Sequence, residues 1–292
     1  MSDAAQIKAA ALSCWSGPVE PEPLPGGITN RNFVVRDRGT RFVVRIGDDI
    51  PVHGVMRFNE LAASRAAHAA GVSPEVVHAE PGALVVRFIE GKTYGEAEVR
   101  AAHGAGRITP LIRRLHDEIP RHFTGPALVF WVFQVVRGYA KLLREGDSRM
   151  TGELPRFLAA NQALEAAVGP VRIAFGHNDL LAANFIDDGT RLWLVDWDYA
   201  GFNSPLFDLA NLASNNRFTP DDEDRLLEAY FEAPVTDGMR RRLKAMKAAS
   251  LLREAMWSMV SEIHLDIDFD YVAYTAENLA RFERAYDDFL SA

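Results

Sequence analysis

The hydrophobic and polar positions divide the chain into a strand-rich first third and a helix-rich remainder. Four early segments have the alternation and the branched or aromatic residues of strands, at 32–36, 41–46, 76–78 and 84–88. The first two flank a short polar turn at residues 37–40 and therefore predict a β-hairpin. Apolar positions three and four residues apart predict a helix at 56–70, and an opening helix is expected at 3–15. The first ninety residues thus predict a small α+β lobe.

After residue 90 the pattern changes mainly to helices. We expect them at 107–117, 129–145, 155–168, 206–214, 220–231, 236–263 and 269–290. A second β-rich segment interrupts this series, with strands expected at 171–175, 184–186 and 191–195. The sequence therefore predicts an α+β fold of two lobes. We expect residues 1–90 to form an antiparallel sheet with a helix, and residues 91–292 to form a mainly helical lobe that contains a β-hairpin.

Composition narrows the classes of protein to which this chain can belong. The 292 residues are 48% hydrophobic, which is enough to build a sizeable core. A net charge of −8 without a basic stripe argues against a nucleic-acid partner. The single cysteine, Cys14, rules out an internal disulfide framework. Neither a signal peptide nor a long uncharged apolar window is present, so we expect a cytoplasmic protein without membrane insertion. The oligomeric state is left open, and a homodimer is one option.

The most informative chemistry lies in the second β-rich segment. His177-Asn178-Asp179 follows a buried strand, Asn184 comes five residues after Asp179, and Asp196 follows the apolar run of the next strand. Phosphoryl transfer needs a carboxylate that orients the attacking hydroxyl, together with oxygen ligands for magnesium. We therefore expect Asp179 to be the catalytic base, and Asn184 and Asp196 to bind Mg²⁺. Each residue alone would more often cap a turn, but three in register on one hairpin favour function.

Three neighbouring residues have two interpretations each. His177 is a candidate base by residue type, although a histidine at this position more often braces the loop through backbone hydrogen bonds. Asp198 would share a side of the strand with Asp196 if that strand continued, which would make it a magnesium or substrate ligand. Otherwise Asp198 is a solvated turn residue. Tyr199 is expected to supply an aromatic wall of the site.

These motifs resemble those of the choline/ethanolamine kinase family, within the aminoglycoside-phosphotransferase-like group of protein-kinase-like enzymes. The resemblance is carried by Phe-Gly-His-Asn-Asp-Leu at 175–180, Val-Asp-Trp-Asp-Tyr at 195–199, Phe-Asp-Leu-Ala-Asn at 207–211 and Met-Trp-Ser-Met-Val at 256–260. It implies a protein-kinase-like fold and the use of ATP and magnesium. It also implies that Asp208 supports the catalytic loop.

A glycine-containing loop at residues 26–32 precedes the first hairpin. By itself, Gly-Gly before a strand indicates only a turn, although its backbone N–H groups could approach phosphates. The loop resembles the nucleotide loop of the family, which implies nucleotide contacts from Gly27, Thr29 and Asn30.

Arg45 occupies the strand position at which protein kinases carry a lysine. An arginine offers a planar fork suited to phosphate oxygens, and the alternative is a surface arginine on an edge strand. We expect Glu60, on the following helix, to form the ion pair that positions Arg45. Phe88 lies in a segment that resembles the inter-lobe hinge around adenine.

The C-terminal helices suggest an acceptor pocket. Aromatic and acidic residues are interleaved between Trp257 and Tyr274, and such a mixture suits an ammonium group. On composition alone, core aromatics and a solvated acidic face are the better interpretation. The resemblance instead implies a pocket lined by Tyr199, Trp257, Phe269 and Tyr274.

Two departures from the animal enzymes concern the identity of the acceptor. Glu254 stands where those enzymes have a second cage tryptophan, and Asn215 stands where they have an acidic residue. Glu254 would suit a primary amine better than a trimethylammonium group. The expected acceptor is a small amino alcohol, choline or ethanolamine, with choline slightly favoured. An aminoglycoside, a sugar or thiamine is the alternative within the group, and a non-catalytic nucleotide-binding scaffold is the alternative outside it.

Overall fold

The computed structural model describes residues 4–104 and 106–292. Its helices are α1 (Ala4–Ala10), α2 (Arg57–Ala69), α3 (Glu96–Gly104), α4 (Ile108–His122), α5 (Val132–Glu145), α6 (Leu154–Val168), α7 (Pro205–Asn215), α8 (Pro220–Phe231), α9 (Asp237–His264) and α10 (Tyr271–Leu290). Its strands are β1 (Glu22–Leu24), β2 (Arg31–Asp37), β3 (Thr40–Ile46), β4 (Val76–Glu80), β5 (Ala83–Arg87), β6 (Lys92–Thr93), β7 (Ala174–Gly176), β8 (Phe185–Asp187), β9 (Leu192–Leu194) and β10 (Gly201–Asn203). The predicted α+β architecture is confirmed.

The N-terminal lobe is built on an antiparallel sheet with strand order β1-β2-β3-β5-β4. The predicted hairpin is confirmed, since Asp37 pairs with Thr40 across a turn in which Arg38 and Gly39 have φ angles of 47° and 79°. Inward-facing Phe33 and Val44 are buried in the core of this lobe. The sheet therefore holds Arg45, between two core residues of β3, on its opposite face.

The opening helix is shorter than predicted. Residue 3 of the predicted range lies outside the described residues, and α1 ends at Ala10 instead of continuing to residue 15. Trp15 donates its indole N–H to the Ala9 carbonyl at 2.8 Å, and its ring lies 5.6 Å from that of Phe42. Packing of Trp15 on the sheet therefore satisfies a carbonyl at the helix end and turns the chain away.

Helix α9 is the centre of the C-terminal lobe. It is buried over most of its 28 residues and packs against α5, α6, α7 and α10. Residues 248–261 of α9 are buried on nearly every side, which is stable only when other helices surround them. In the described part of the chain, no helix combines the length and the apolar character that a membrane crossing requires.

Several short elements were missed or mispredicted, and for the strands the reason is that their pairing is non-local. Strand β1 lies in a proline-rich stretch that we interpreted as a linker, and it pairs with β2. The strand expected at 171–175 is observed only as β7, which pairs with β10 over three residues. Helix α3 is also absent from the sequence prediction. The boundary at residue 90 stays a prediction, and alanines of α2 pack into the core of the C-terminal lobe.

Candidate active site

Asp208 supports the loop that follows β7. Its two carboxylate oxygens accept the backbone N–H groups of His177 and Asn178, each at 2.8 Å, and His116 Nε2 lies 3.0 Å away. Burial opposes ionisation, but these partners hold the pKa of Asp208 below its ordinary value. Asn178 has a φ of 66°, a left-handed conformation that asparagine tolerates better than most residues. The buried carboxylate thus stabilises a strained turn that presents Asp179.

His177 braces the same loop. It is fully buried, and its Nε2 lies 3.0 Å from the Val195 carbonyl, while its Nδ1 accepts the Asp179 backbone N–H at 3.3 Å. Burial lowers the pKa of His177, so the ring is neutral and carries its proton on Nε2. Since the backbone occupies both ring nitrogens, this geometry supports bracing and leaves neither nitrogen for a substrate proton.

Asp179 lies half-buried on the wall of the central cleft. Burial, followed by the charge of Glu254, raises its pKa well above the ordinary carboxyl value, while Arg253 opposes the shift. The Asn184 amide N–H donates to the Asp179 carbonyl at 2.9 Å, a bond that fixes the side chain through its nitrogen and does not use its oxygen. The loop thus ties Asn184 to the backbone of Asp179, the residue whose carboxyl has a raised pKa.

Asp196 and Asp198 do not share a strand, so the condition for the first interpretation of Asp198 is not met, and Asp198 is buried instead of being a solvated turn residue. Strand β9 ends at Leu194, and Asp196 has a φ of 72° in the turn that follows. The two carboxylates are nevertheless brought together by Arg45, whose Nη2 lies 2.9 Å from an oxygen of each. Their proximity is produced by a cation from the other lobe.

Arg45 also forms the expected ion pair with Glu60, with Nε 2.9 Å from Oε1. Burial acts to raise the pKa of Asp196, but the charge and hydrogen bond of Arg45 hold it below the ordinary value. Burial raises the pKa of Asp198, against the attraction of Arg45 and Arg57. The carboxylates around Arg45 are therefore arranged as a connected network between the lobes.

Arg57 completes this network and was missed by the sequence analysis. Its Nη1 contacts Glu60 at 2.6 Å and Asp198 at 2.9 Å, and its Nη2 donates to the Asn30 amide oxygen at 2.9 Å. Asn30 in turn donates to Asp198 at 2.8 Å. The three-residue spacing of Arg57 and Glu60 on a helix was the available signal. The network ties the glycine loop to the turn that carries Asp196.

The donors at this position fit a magnesium ion. Among residues 4–104 and 106–292, no group of three or more His, Cys, Asp or Glu side chains is arranged to hold a metal. Mg²⁺ is commonly bound by one or two carboxylates, with substrate phosphates and waters completing its shell. Asn184, Asp196 and Asp198 line the same cleft and supply hard oxygen donors of this kind.

One cleft of about 500 Å³ brings most of the predicted residues together. The six residues predicted to contact the nucleotide line it, namely Gly27, Thr29, Asn30, Arg45, Glu60 and Phe88. Gly27 has a φ of 77°, which most side chains disfavour. The backbone N–H of Phe88 donates to the Arg41 carbonyl at 3.2 Å, so the hinge is anchored to β3. The cleft continues past Asp179 to an aromatic and acidic end.

At that end, some of the predicted pocket residues line the cleft and others do not. Tyr199, Glu254, Trp257 and Tyr274 line the cleft. Phe269 is not among the lining residues and packs behind the wall, with its ring 5.4 Å from that of Tyr274. Asn215 also lies elsewhere, because its amide faces Asn211 on α7 at 3.2 Å. The pocket is therefore lined by fewer residues than the resemblance implied.

Arg253 is a further lining residue that the sequence analysis missed. It is 3% exposed, and its guanidinium carbon lies 4.4 Å from the centre of the Tyr199 ring. Its Nη1 donates to Glu254 at 2.7 Å, while its Nε and Nη2 are buried without a hydrogen-bond partner. The adjacent charges of Arg253 and Glu254 within a largely apolar stretch of α9 were the available signal.

Comparisons with known proteins agree with this architecture. The chain is 27% identical over 263 residues to Protein LicA of Haemophilus influenzae, covering 84% of this chain and 75% of the relative. It is 24% identical over 292 residues to a probable ethanolamine kinase of Arabidopsis thaliana, covering 87% of this chain and 76% of the relative. The structure of a choline/ethanolamine kinase family protein from Mesorhizobium loti superposes with a TM-score of 0.78 at 29% identity, covering 98% of this chain and 97% of that one. Residues 20–245 match the profile of the phosphotransferase enzyme family APH, and the chain belongs to that family.

Proposed function

We propose that this protein transfers the γ-phosphoryl group of ATP to the hydroxyl of a small amino alcohol, choline or ethanolamine, with Mg²⁺. The observation that carries the proposal is that Asp179 lies in one continuous cleft between a glycine loop and an aromatic, acidic pocket. Nucleotide and acceptor bound at the two ends would meet at this carboxylate. Relatives named for choline and ethanolamine kinases support the choice of acceptor.

Different residues of the cleft would act on the acceptor, the metal ion and the phosphates. Asp179 would orient the acceptor hydroxyl and take its proton, and the raised pKa of this carboxyl increases its proton affinity. Asn184 and Asp196 would hold Mg²⁺, with Asp198 next to them, and the bound ion would neutralise charge on the phosphates. Arg45 would contact the phosphates from β3, with Glu60 keeping its guanidinium in place.

The acceptor end would attract a cation. Asp179 and Glu254 contribute two carboxylates and Arg253 one guanidinium, so this part of the cleft has an excess of negative charge. The rings of Trp257 and Tyr274 lie 6.2 Å apart and nearly perpendicular, which forms a corner for an ammonium group. Residues 1–90 would serve as the nucleotide lobe and residues 91–292 as the acceptor lobe.

An ADP-release assay with purified protein, ATP and Mg²⁺ tests the proposal. Ethanolamine, choline, thiamine, kanamycin and a neutral diol of similar size are compared, and phosphorylated products are identified by mass spectrometry. We expect turnover with an amino alcohol and none with the diol. Turnover only with kanamycin or thiamine would contradict the proposed acceptor, and ATP hydrolysis without any phosphorylated acceptor would contradict a kinase.

A further inference from the structure

We infer that the acceptor pocket selects a primary ammonium over a quaternary ammonium, and that the neighbouring residues Arg253 and Glu254 determine this choice. The inference rests on the proposed function and narrows its substrate class to amino alcohols whose nitrogen carries hydrogen atoms. It assigns to Arg253 a role as a specificity-determining residue.

The first step concerns the face of Tyr199. A quaternary ammonium has no hydrogen-bond donor and is bound mainly by aromatic ring faces and by charge. The Arg253 guanidinium already lies over the Tyr199 ring at 4.4 Å, and Phe130 lies 5.5 Å from the same guanidinium carbon. Two cations on this half-buried ring would repel each other. Arg253 therefore weakens the attraction of Tyr199 for a second cation, although the ring lines the cleft.

The second step concerns the remaining aromatic surfaces. The His53 ring lies 5.3 Å from that of Trp257 with the planes 34° apart, and it covers Trp257 from behind. Trp257 and Tyr274 then supply the ring surfaces on the cleft, and Glu254 completes the wall. An open corner of two rings is a poor enclosure for three methyl groups, but a carboxylate beside it suits an ammonium that donates hydrogen bonds.

The third step concerns the geometry of Glu254. Its Oε1 accepts the Tyr274 hydroxyl at 2.8 Å, and its Oε2 accepts Arg253 Nη1 at 2.7 Å. These two bonds fix the carboxylate plane, yet an ionised carboxylate can accept about four hydrogen bonds. The remaining lone pairs can accept N–H groups from a primary ammonium. A trimethylammonium would cover the same oxygens and offer no donor in return.

The test is a methylation series measured with the 292-residue chain, ATP and Mg²⁺. We compare kcat/KM for ethanolamine, N-methylethanolamine, N,N-dimethylethanolamine and choline. We expect kcat/KM to fall along the series, with choline at least about tenfold below ethanolamine. Choline turned over as well as ethanolamine would overturn the inference while leaving the proposed function intact. Failure of every amino alcohol would instead contradict the proposed function.

Variants then identify the determinant. Arg253→Met should raise the choline-to-ethanolamine ratio of kcat/KM by about tenfold, because it removes the cation from Tyr199 at similar length. Glu254→Gln should lower kcat/KM for ethanolamine more than for choline. The matched control Arg284→Met removes an exposed arginine of α10 and should leave the ratio unchanged. An unchanged ratio in Arg253→Met with a native thermal transition would contradict the role of Arg253.

A binding measurement keeps the inference testable if Arg253→Met does not fold. Ethylammonium and tetramethylammonium are titrated into the wild-type protein with a non-hydrolysable ATP analogue and Mg²⁺, and tryptophan fluorescence is followed. Tighter binding of ethylammonium supports the inference, and tighter binding of tetramethylammonium contradicts it. Arg253→Lys provides a second variant that keeps the charge but loses the planar stacking on Tyr199.

Discussion

The guanidinium of Arg45 lies 2.9 Å from the carboxylate of Asp196, although 151 residues separate them along the chain. Arg45 belongs to β3 of the N-terminal sheet and Asp196 to the turn after β9 of the C-terminal lobe. This bond is one of the contacts that hold the two walls of the cleft together. It also places a cation beside the carboxylate proposed to bind metal.

Replacing Arg45 is expected to damage both nucleotide use and stability. Arg45→Met should lower kcat/KM for ATP by about 10²-fold, because a preorganised charge near the phosphates is lost. It leaves Glu60 and Asp196 without their shared cation, which should destabilise the fold by about 3–5 kcal/mol. The effects of Arg45→Lys should lie between those of the wild type and Arg45→Met, because lysine keeps the charge but lacks the planar guanidinium.

Steady-state kinetics and urea unfolding measure these effects. Arg36→Met is the matched control, because Arg36 is an exposed arginine on the same hairpin. Wild-type ATP kinetics in Arg45→Met would rule out a phosphate contact.

Asp179→Asn should separate chemistry from nucleotide binding. Loss of a general base typically costs about 10²–10⁴-fold in rate, and the amide cannot accept the acceptor proton. The substitution is nearly isosteric, so ATP should bind with wild-type affinity. Rapid-quench turnover together with nucleotide titration by calorimetry measures both quantities. Turnover within about threefold of wild type would show that Asp179 is not the base.

Asp208→Asn should act through the loop that presents Asp179. Asp208 has a pKa below its ordinary value, so its stabilising contribution is present above the ordinary carboxyl pKa and is lost as pH falls through the lowered value. Removing this buried charge from the N–H groups of His177 and Asn178 should cost about 3–5 kcal/mol. Denaturant unfolding at neutral pH measures the change.

Asp224→Asn is the comparison for Asp208→Asn, because Asp224 is an aspartate whose side chain is partly exposed and pairs with Arg240 on the surface. It should cost less than about 1 kcal/mol. Equal effects of the two substitutions would contradict a supporting role for Asp208.

His53 should make the stability fall at mildly acidic pH. It packs against Trp257, and its ring nitrogens lie 3.0 Å from the Tyr139 hydroxyl and 2.9 Å from the Ser261 hydroxyl. Burial, with smaller effects from the charges of Arg253 and His264, lowers its pKa to about 3. The unfolded chain therefore binds the proton between about pH 6.5 and pH 3, and the folded chain does not.

The contribution of His53 to the free energy of unfolding is complete above about pH 6.5. It declines as pH falls, by up to about 1.4 kcal/mol per pH unit. Free energies of unfolding measured between about pH 4 and about pH 7 check this slope. His53→Gln should flatten that part of the profile, whereas His122→Gln, at an exposed position of α4, should not. An unchanged slope in His53→Gln would assign the acid sensitivity to another group.

The sequence by itself determined most of the longer elements and the spacing of the proposed catalytic and metal-binding residues. Hairpin β2–β3, helix α2 and the C-terminal helices were predictable because strand alternation and helical periodicity are local properties. The loop with Asp179 and Asn184 was predictable for the same reason, since five residues and one turn set their separation.

Only the tertiary structure decided which side chains share the cleft and which way they face. Asn30 reaches Asp198 across 168 residues, Arg57 joins the same network, and Arg253 turns toward Tyr199. Conversely, Phe269 and Asn215 carry suitable chemistry but do not line the cleft. Local pattern contains no information about these directions, because they depend on how one lobe packs on the other and on which face α9 and α7 present after burial.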